Sequence, residues 1–102
     1  MPKFHVEWKF NLSAIPEDPA KMVKIKSELL EMVKADVKSD KMVDWGSYCN
    51  GYNGYMIFEG NQDEIMPELL KYMPYILFDV KPIINVDKAL DAIKAVSQKK
   101  TK

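Results

Sequence analysis

The sequence predicts a single α+β domain: a four-stranded antiparallel sheet with two helices on one face. Three observations predict it. Stretches near both ends of the chain alternate apolar and polar side chains, the mark of a strand with one buried face. Two other stretches repeat apolar residues at helical spacing. Two Asn-Gly dipeptides in mid-chain mark a tight hairpin. The 102 residues are 47% hydrophobic and 29% charged, enough for one core and too few for two. No repeat or linker divides the chain, so residues 1–102 are read as one domain. Its core runs over about 3–86, with a C-terminal helix over about 88–97 and a basic tail at 98–102 expected to be disordered.

Lys3 to Leu12 gives the first strand. Phe4, Val6, Trp8, Phe10 and Leu12 point one way, and His5, Glu7, Lys9 and Asn11 the other. Asp18-Pro19 supplies an N-cap and a proline at the first helical position. A long amphipathic helix follows over about Pro19–Lys38, with Met22, Ile25, Leu29, Met32 or Val33, and Val37 as its apolar stripe. Strand two is expected at about Met42–Cys49 and strand three at about Gly54–Glu59. Asn50-Gly51 and Asn53-Gly54 both tolerate the positive φ of a tight turn, so register is open by a few residues, with room for a bulge.

Asn61 to Glu64 fits a capping box. It opens a helix carrying Ile65, Met66, Leu69, Leu70 and Met73, with Pro67 in its first turn or at a kink, and Pro74 ending it. Ile76 to Ile84 alternates again, and Pro82 within it points to an edge strand or a strand end. Asp87 then caps a short helix carrying Leu90, Ile93 and Val96. The order strand, helix, strand, strand, helix, strand is the ferredoxin-like split βαβ arrangement, βαββαβ, with an appended helix.

Charge and cysteine narrow the partners. Basic and acidic residues number 15 each, and every basic residue is lysine. Without arginine or a net positive field, nucleic acid is not the expected partner. One cysteine, Cys49, allows no internal disulfide and fits a reducing cytoplasm. The N-terminal residues lack the apolar core of a signal peptide, and no segment is long and apolar enough to span a membrane.

Three segments carry a family resemblance: Phe4-His5-Val6-Glu7-Trp8; Trp45-Gly46-Ser47-Tyr48 leading to Gly54-Tyr55-Met56-Ile57-Phe58-Glu59; and Phe78-Asp79-Val80-Lys81-Pro82-Ile83. Together they resemble the dimeric α/β-barrel superfamily. Within it, the chain is similar to a family of small uncharacterised proteins related in shape to muconolactone isomerases and antibiotic-biosynthesis-type monooxygenases. The resemblance covers about residues 3–86 and rests on hydrophobic patterns and turns rather than catalytic signatures. It implies a homodimer whose sheets face each other across a twofold axis. The pocket would lie between sheet and helices or inside the barrel. Isomerases, cofactor-free monooxygenases, haem-dependent enzymes and proteins without known activity share that fold, so fold alone does not choose the chemistry.

The candidate site residues lie on the open face of the sheet. His5 is the single histidine. Imidazole suits a general base, and the resemblance also admits it as an axial haem ligand; the plainer reading is an interface histidine bonded across the dimer. Glu7 and Lys9 follow at alternate positions, about 6.5–7 Å apart along the strand. With Asp79 and Lys81 they form an acid–base set suited to proton transfer, or else a set of structural ion pairs. Tyr48, Cys49, Tyr52 and Tyr55 cluster at the hairpin, where they rim a pocket or brace the turn. Trp8, Trp45 and the seven methionines are expected among the helices as core or cavity lining. No His-x-His or Cys-x-x-Cys spacing suggests a metal, no cofactor is required, and no phosphate loop, nucleophile elbow or His-Glu-x-x-His is present. The open face of strand one also lacks the aromatic platform of an RNA-binding domain.

The leading expectation is a cytoplasmic homodimeric barrel protein that binds a small, largely apolar molecule. His5 and Glu7 would be the proton-transfer pair if it is a cofactor-independent isomerase, cyclase or monooxygenase. Lys9, Tyr48, Tyr55, Asp79 and Lys81 would contact the ligand. A non-catalytic oligomerisation or protein-interaction module is the third reading.

Overall fold

A computed structural model describes residues 2–100; for 98–100 it describes the helical backbone alone. Thr101 and Lys102 of the expected tail lie outside the described residues. The elements are β1 (Lys3–Phe10), α1 (Pro19–Lys38), β2 (Met42–Ser47), β3 (Asn53–Glu59), α2 (Gln62–Leu70), β4 (Ile76–Ile83) and α3 (Val86–Lys100). The strands form one antiparallel sheet in the order β2-β3-β1-β4. The architecture is α+β and compatible with a ferredoxin-like fold.

β1 is central, and its alternation decides which face is covered. Phe4, Val6, Trp8 and Phe10 are buried against α1 and α2, joined by Met56 and Phe58 of β3 and by Leu29, Val33, Ile65 and Leu69 of the helices. Trp8 stacks on Trp45 at 5.4 Å between ring centroids and meets the edge of Phe10 at 5.5 Å, arrangements that add to simple burial. Leu12 lies past the end of β1 and is 66% exposed, so the buried row stops at Phe10. Pro82 sits in β4, at an edge of the sheet, where proline is tolerated.

α1 keeps its expected ends. The Asp18 carboxylate accepts from the Lys21 N–H at 3.1 Å, and Ser39 and Asp40 close the helix, Asp40 at φ 66°. Its buried stripe differs from the expected one. Asp36 is 8% exposed, whereas Val37 faces solvent. In α2, Glu64 reaches back to accept from the Asn61 N–H at 3.0 Å. Pro67 falls beyond the first turn, and the helix ends at Leu70, so Met73 lies outside it and is exposed. The Met73–Pro74 peptide that follows is cis.

The hairpin uses Asn50-Gly51, with Gly51 at φ 70°. The Asn50 side chain accepts from the Tyr52 N–H at 2.8 Å and donates to the Asn53 side chain at 2.8 Å. Asn53-Gly54 belongs to β3, and the register shift lies in β2 between Met42 and Asp44. Gly54 is required there, because a Cβ would collide with the Gly46 carbonyl and the Trp8 ring. At the far end Asn85, not Asp87, caps α3 by accepting from the Lys88 N–H at 2.9 Å. That helix starts at Val86 and runs to Lys100, longer than the pattern suggests.

Candidate functional site

The sheet face away from α1 and α2 carries the polar half of each strand. Across it the ladder places His5 between Ile57 and Lys81, Glu7 between Tyr55 and Asp79, and Lys9 between Asn53 and Leu77. Six of the seven residues expected at a site, His5, Glu7, Lys9, Tyr55, Asp79 and Lys81, therefore share one face. Tyr48 lies beyond β2 in the hairpin and is exposed.

Two arrangements on this face have chemical content. The first is at β1–β4. Glu7 and Asp79 are direct neighbours of like charge, a pairing that costs stability unless something else compensates it. Asp79 is partnered by Lys81 at 3.6 Å, both well exposed. Glu7 and Lys9 make no ion pair among the described residues. Glu7, Lys9, Asn53, Leu77 and Asp79 line an open depression of about 440 Å³.

The second is at β2–β3. The Tyr55 hydroxyl donates to Asp44 at 3.0 Å, and that hydrogen bond, together with the charge of the same carboxylate, raises its pKa. Tyr55 is thereby held as a donor, not a base. Gly46 makes the contact feasible, because a Cβ there would enter the Tyr55 ring. The opposite side of the ring system is ordered too: His5 lies parallel to Tyr55, with centroids 6.3 Å apart and planes 4° from parallel. Asp44 escaped the sequence reading; the only available signal was its alternate spacing with Gly46 along β2.

Beneath the sheet, the space against α1 is a cavity of about 30 Å³ lined by Trp8, Phe10, Lys26, Leu29, Trp45 and Phe78. The Lys26 ammonium lies at its border, 4.6 Å from the Phe10 ring centre. Such a space takes about one water, whereas a benzene-sized guest needs about 150 Å³.

A buried polar cluster lies on the helix side, remote from the open face. Asp36 accepts from the Tyr72 hydroxyl at 2.5 Å and from Lys71 at 2.7 Å, and Lys71 also reaches Glu68 at 2.8 Å. Burial, followed by the hydrogen bond to Asp36, pushes the Tyr72 hydroxyl far above its usual range. Burial opposes the Lys71 charge, but the bonds to Asp36 and Glu68 outweigh it and raise its pKa. This cluster ties α1 to the segment after α2. It, too, was missed, although an acid three residues beyond Val33 on an apolar stripe was a visible signal.

Among the described residues no group of three His, Cys, Asp or Glu side chains is placed to hold a metal ion. The surroundings of His5 do not fit an axial haem site in the single chain: Tyr55, Ile57 and Lys81 do not form the apolar slot a porphyrin needs. Cys49 is exposed and free. No described helix is long and apolar enough to cross a membrane. No family model matches the chain, and no curated protein matches it in sequence.

Proposed function

We propose that the protein is a homodimeric α/β-barrel protein in which two open sheet faces enclose a small, largely apolar molecule. The observation that carries this reading is the open sheet face itself. It holds a depression of about 440 Å³ and presents Tyr55, Ile57, Leu77 and Ile83 among its charges, whereas the space under β1 against α1 is only about 30 Å³. A second sheet laid on this face would remove those apolar groups from water and roof the depression. Leu77 would then supply apolar wall, and Glu7, Lys9 and Asp79 the few polar groups that orient a ligand. The likeness to dimeric α/β barrels supports the same arrangement.

The test is sedimentation equilibrium together with titration of the dye 1-anilinonaphthalene-8-sulfonate. A dimer at micromolar concentration is expected, with saturable dye binding that is lost in Leu77→Lys. A monomer with no saturable binding would remove the proposal.

A second reading is a cofactor-independent isomerase, cyclase or monooxygenase. It draws on Glu7, which lines the depression without an ion-pair partner among the described residues and neighbours His5 along β1. Glu7 would take a proton from bound substrate, while Tyr55, held protonated by Asp44, would donate a hydrogen bond to developing negative charge. Under this reading His5→Ala and Glu7→Gln abolish turnover and leave the dimer intact. Loss of the dimer instead would mark both residues as structural.

A further inference from the structure

The open face of the sheet carries its charges in rows. The ladder sets His5 beside Lys81 and, two residues further along β1, Glu7 beside Asp79. A basic row and an acidic row therefore lie next to each other across β1 and β4, about 6.5–7 Å apart. Within each row like stands beside like, an unfavourable pairing in a single sheet. Lys81 and Asp79 meet from row to row at 3.6 Å, whereas His5 and Glu7 make no ion pair among the described residues. Val6 lies between the rows, level with Met56 and Val80. That level is also the middle of the sheet, since β1 covers Lys3–Phe10, β3 Asn53–Glu59 and β4 Ile76–Ile83.

Two such faces packed with their strands aligned can be related by a twofold axis in two ways. An axis along the strands sets each row over its own copy, acid on acid and base on base. An axis across the strands reverses the order of the rows in the second copy. Placed level with Val6, it sets Glu7 over the second copy's His5 and Asp79 over the second copy's Lys81, and the converse. The facing sheets are then about 10 Å apart, within the combined reach of such side chains. Apolar groups match in the same register: Ile57 faces the second copy's Tyr55, and Ile83 its Leu77. One like-charged approach remains, Lys3 over Lys9 at the ends of β1, and Glu59, opposite Lys3 in the ladder, offsets it. An axis one row nearer Lys9 leaves His5, Lys81 and Ile57 uncovered. One row nearer Lys3, it sets His5 against Lys3.

We infer that the open faces of two copies meet about an axis across the strands, so that each chain completes the other's depression. Glu7 and Asp79 line the depression, and His5 and Lys81 of the second copy close over them. His5 meets Glu7 between chains as a hydrogen-bond donor, which imidazole is whether neutral or charged. The dimer holds two equal sites, and neither is complete in one chain. This rests on the open-face reading and adds to it an orientation and the residues that the second copy supplies.

Three full-length variants test the inference by sedimentation equilibrium: Glu7→Lys/Asp79→Lys, His5→Glu/Lys81→Glu, and the fourfold variant that combines them. Reversals are used because a single neutral substitution removes an attraction without adding a repulsion. Glu7, Asp79 and Lys81 are exposed and His5 half-buried, and circular dichroism checks that each protein is folded. Each double variant should self-associate roughly tenfold more weakly than the parent, or worse, because four facing pairs become like-charged. The two mixed in equal amounts should form a heterodimer, and the fourfold variant, whose rows are exchanged, should self-associate as the parent does. Should one double variant fail to fold, the other and the fourfold protein still decide. Double variants that associate as the parent does, or no recovery in the mixture and the fourfold protein, would overturn the inference. Ile57→Lys separates the two readings. If it is monomeric while the double variants dimerise like the parent, the open faces meet in another orientation and only this inference falls. If it dimerises like the parent, the open-face reading falls and takes this inference with it.

Discussion

At the scale of single residues, the Asp36–Tyr72 pair is the most demanding interaction in the chain. Asp36 is 8% exposed and Tyr72 2%, so each depends on the other, and on Lys71, to replace lost water. Asp36→Ala is expected to lower stability by about 2–3 kcal/mol, because it strands the buried hydroxyl. Tyr72→Phe should cost less, about 1 kcal/mol, since Asp36 keeps Lys71. Urea denaturation of the three proteins measures both, and equal midpoints would contradict the pairing. The same cluster sets an alkaline limit. The folded protein holds the Tyr72 proton more tightly than the unfolded chain, whose tyrosine ionises near 10.0. Stability from this group is therefore complete below pH 10 and declines as pH rises above it. Lys71 acts in the same direction. Tyr72→Phe should flatten the loss of stability above pH 10, and an unchanged slope would assign that loss elsewhere.

At the scale of elements, strand periodicity and cap chemistry placed the segments except for the start of α3, which Asn85 caps and not Asp87, and the ends show where local signals run out. α1 begins at its Asp18-Pro19 signal because cap and proline act on the same backbone groups. It ends on a less favourable residue. Asp40 takes a left-handed conformation at φ 66°, which costs a residue with a Cβ and nothing for glycine. Asp40→Gly should therefore raise stability by about 0.5–1 kcal/mol, partly offset by the freedom glycine gains when unfolded. Thermal unfolding would show a rise of a few degrees, and a fall would mean that the Asp40 side chain does something further. The hairpin was ambiguous in sequence because two Asn-Gly pairs satisfy one turn rule. Packing chose between them: Gly54 is needed in β3 to let Trp8 and the Gly46 carbonyl approach, which leaves Asn50-Gly51 for the turn.

At the scale of the whole molecule, one chain leaves several apolar surfaces incompletely covered. The first is the open sheet face with Ile57, Leu77 and Ile83; others are the α1–β2 groove, the α2 patch around Met66 and Leu70, and the apolar stripe of α3. Ile57 is central to the first, between His5 on β1 and Asp44 on β2. A lysine there would carry a charge into any sheet-to-sheet contact, whose desolvation costs several kcal/mol. Sedimentation of Ile57→Lys is thus expected to show a monomer. An unaltered dimer that still binds dye would argue against the enclosed open face.

The sequence by itself determined the element order, the buried row of β1 as far as Phe10 and the grouping of six site candidates on one face, and it left the proline-bearing strand as an edge strand or a strand end. Each of these follows from a period or a cap acting over a few neighbouring residues. Only the tertiary structure decided the rest. It showed which of two adjacent residues on α1 is buried, Asp36 rather than Val37, because Tyr72 and Lys71 arrive from a distant segment to satisfy the carboxylate. The Tyr55–Asp44 bond likewise depended on the β2–β3 register and on the room left by Gly46. The small volume beneath the sheet and the outward path of α3 could not be read from pattern either, because amphipathic periodicity tells that a face is to be covered without telling by what.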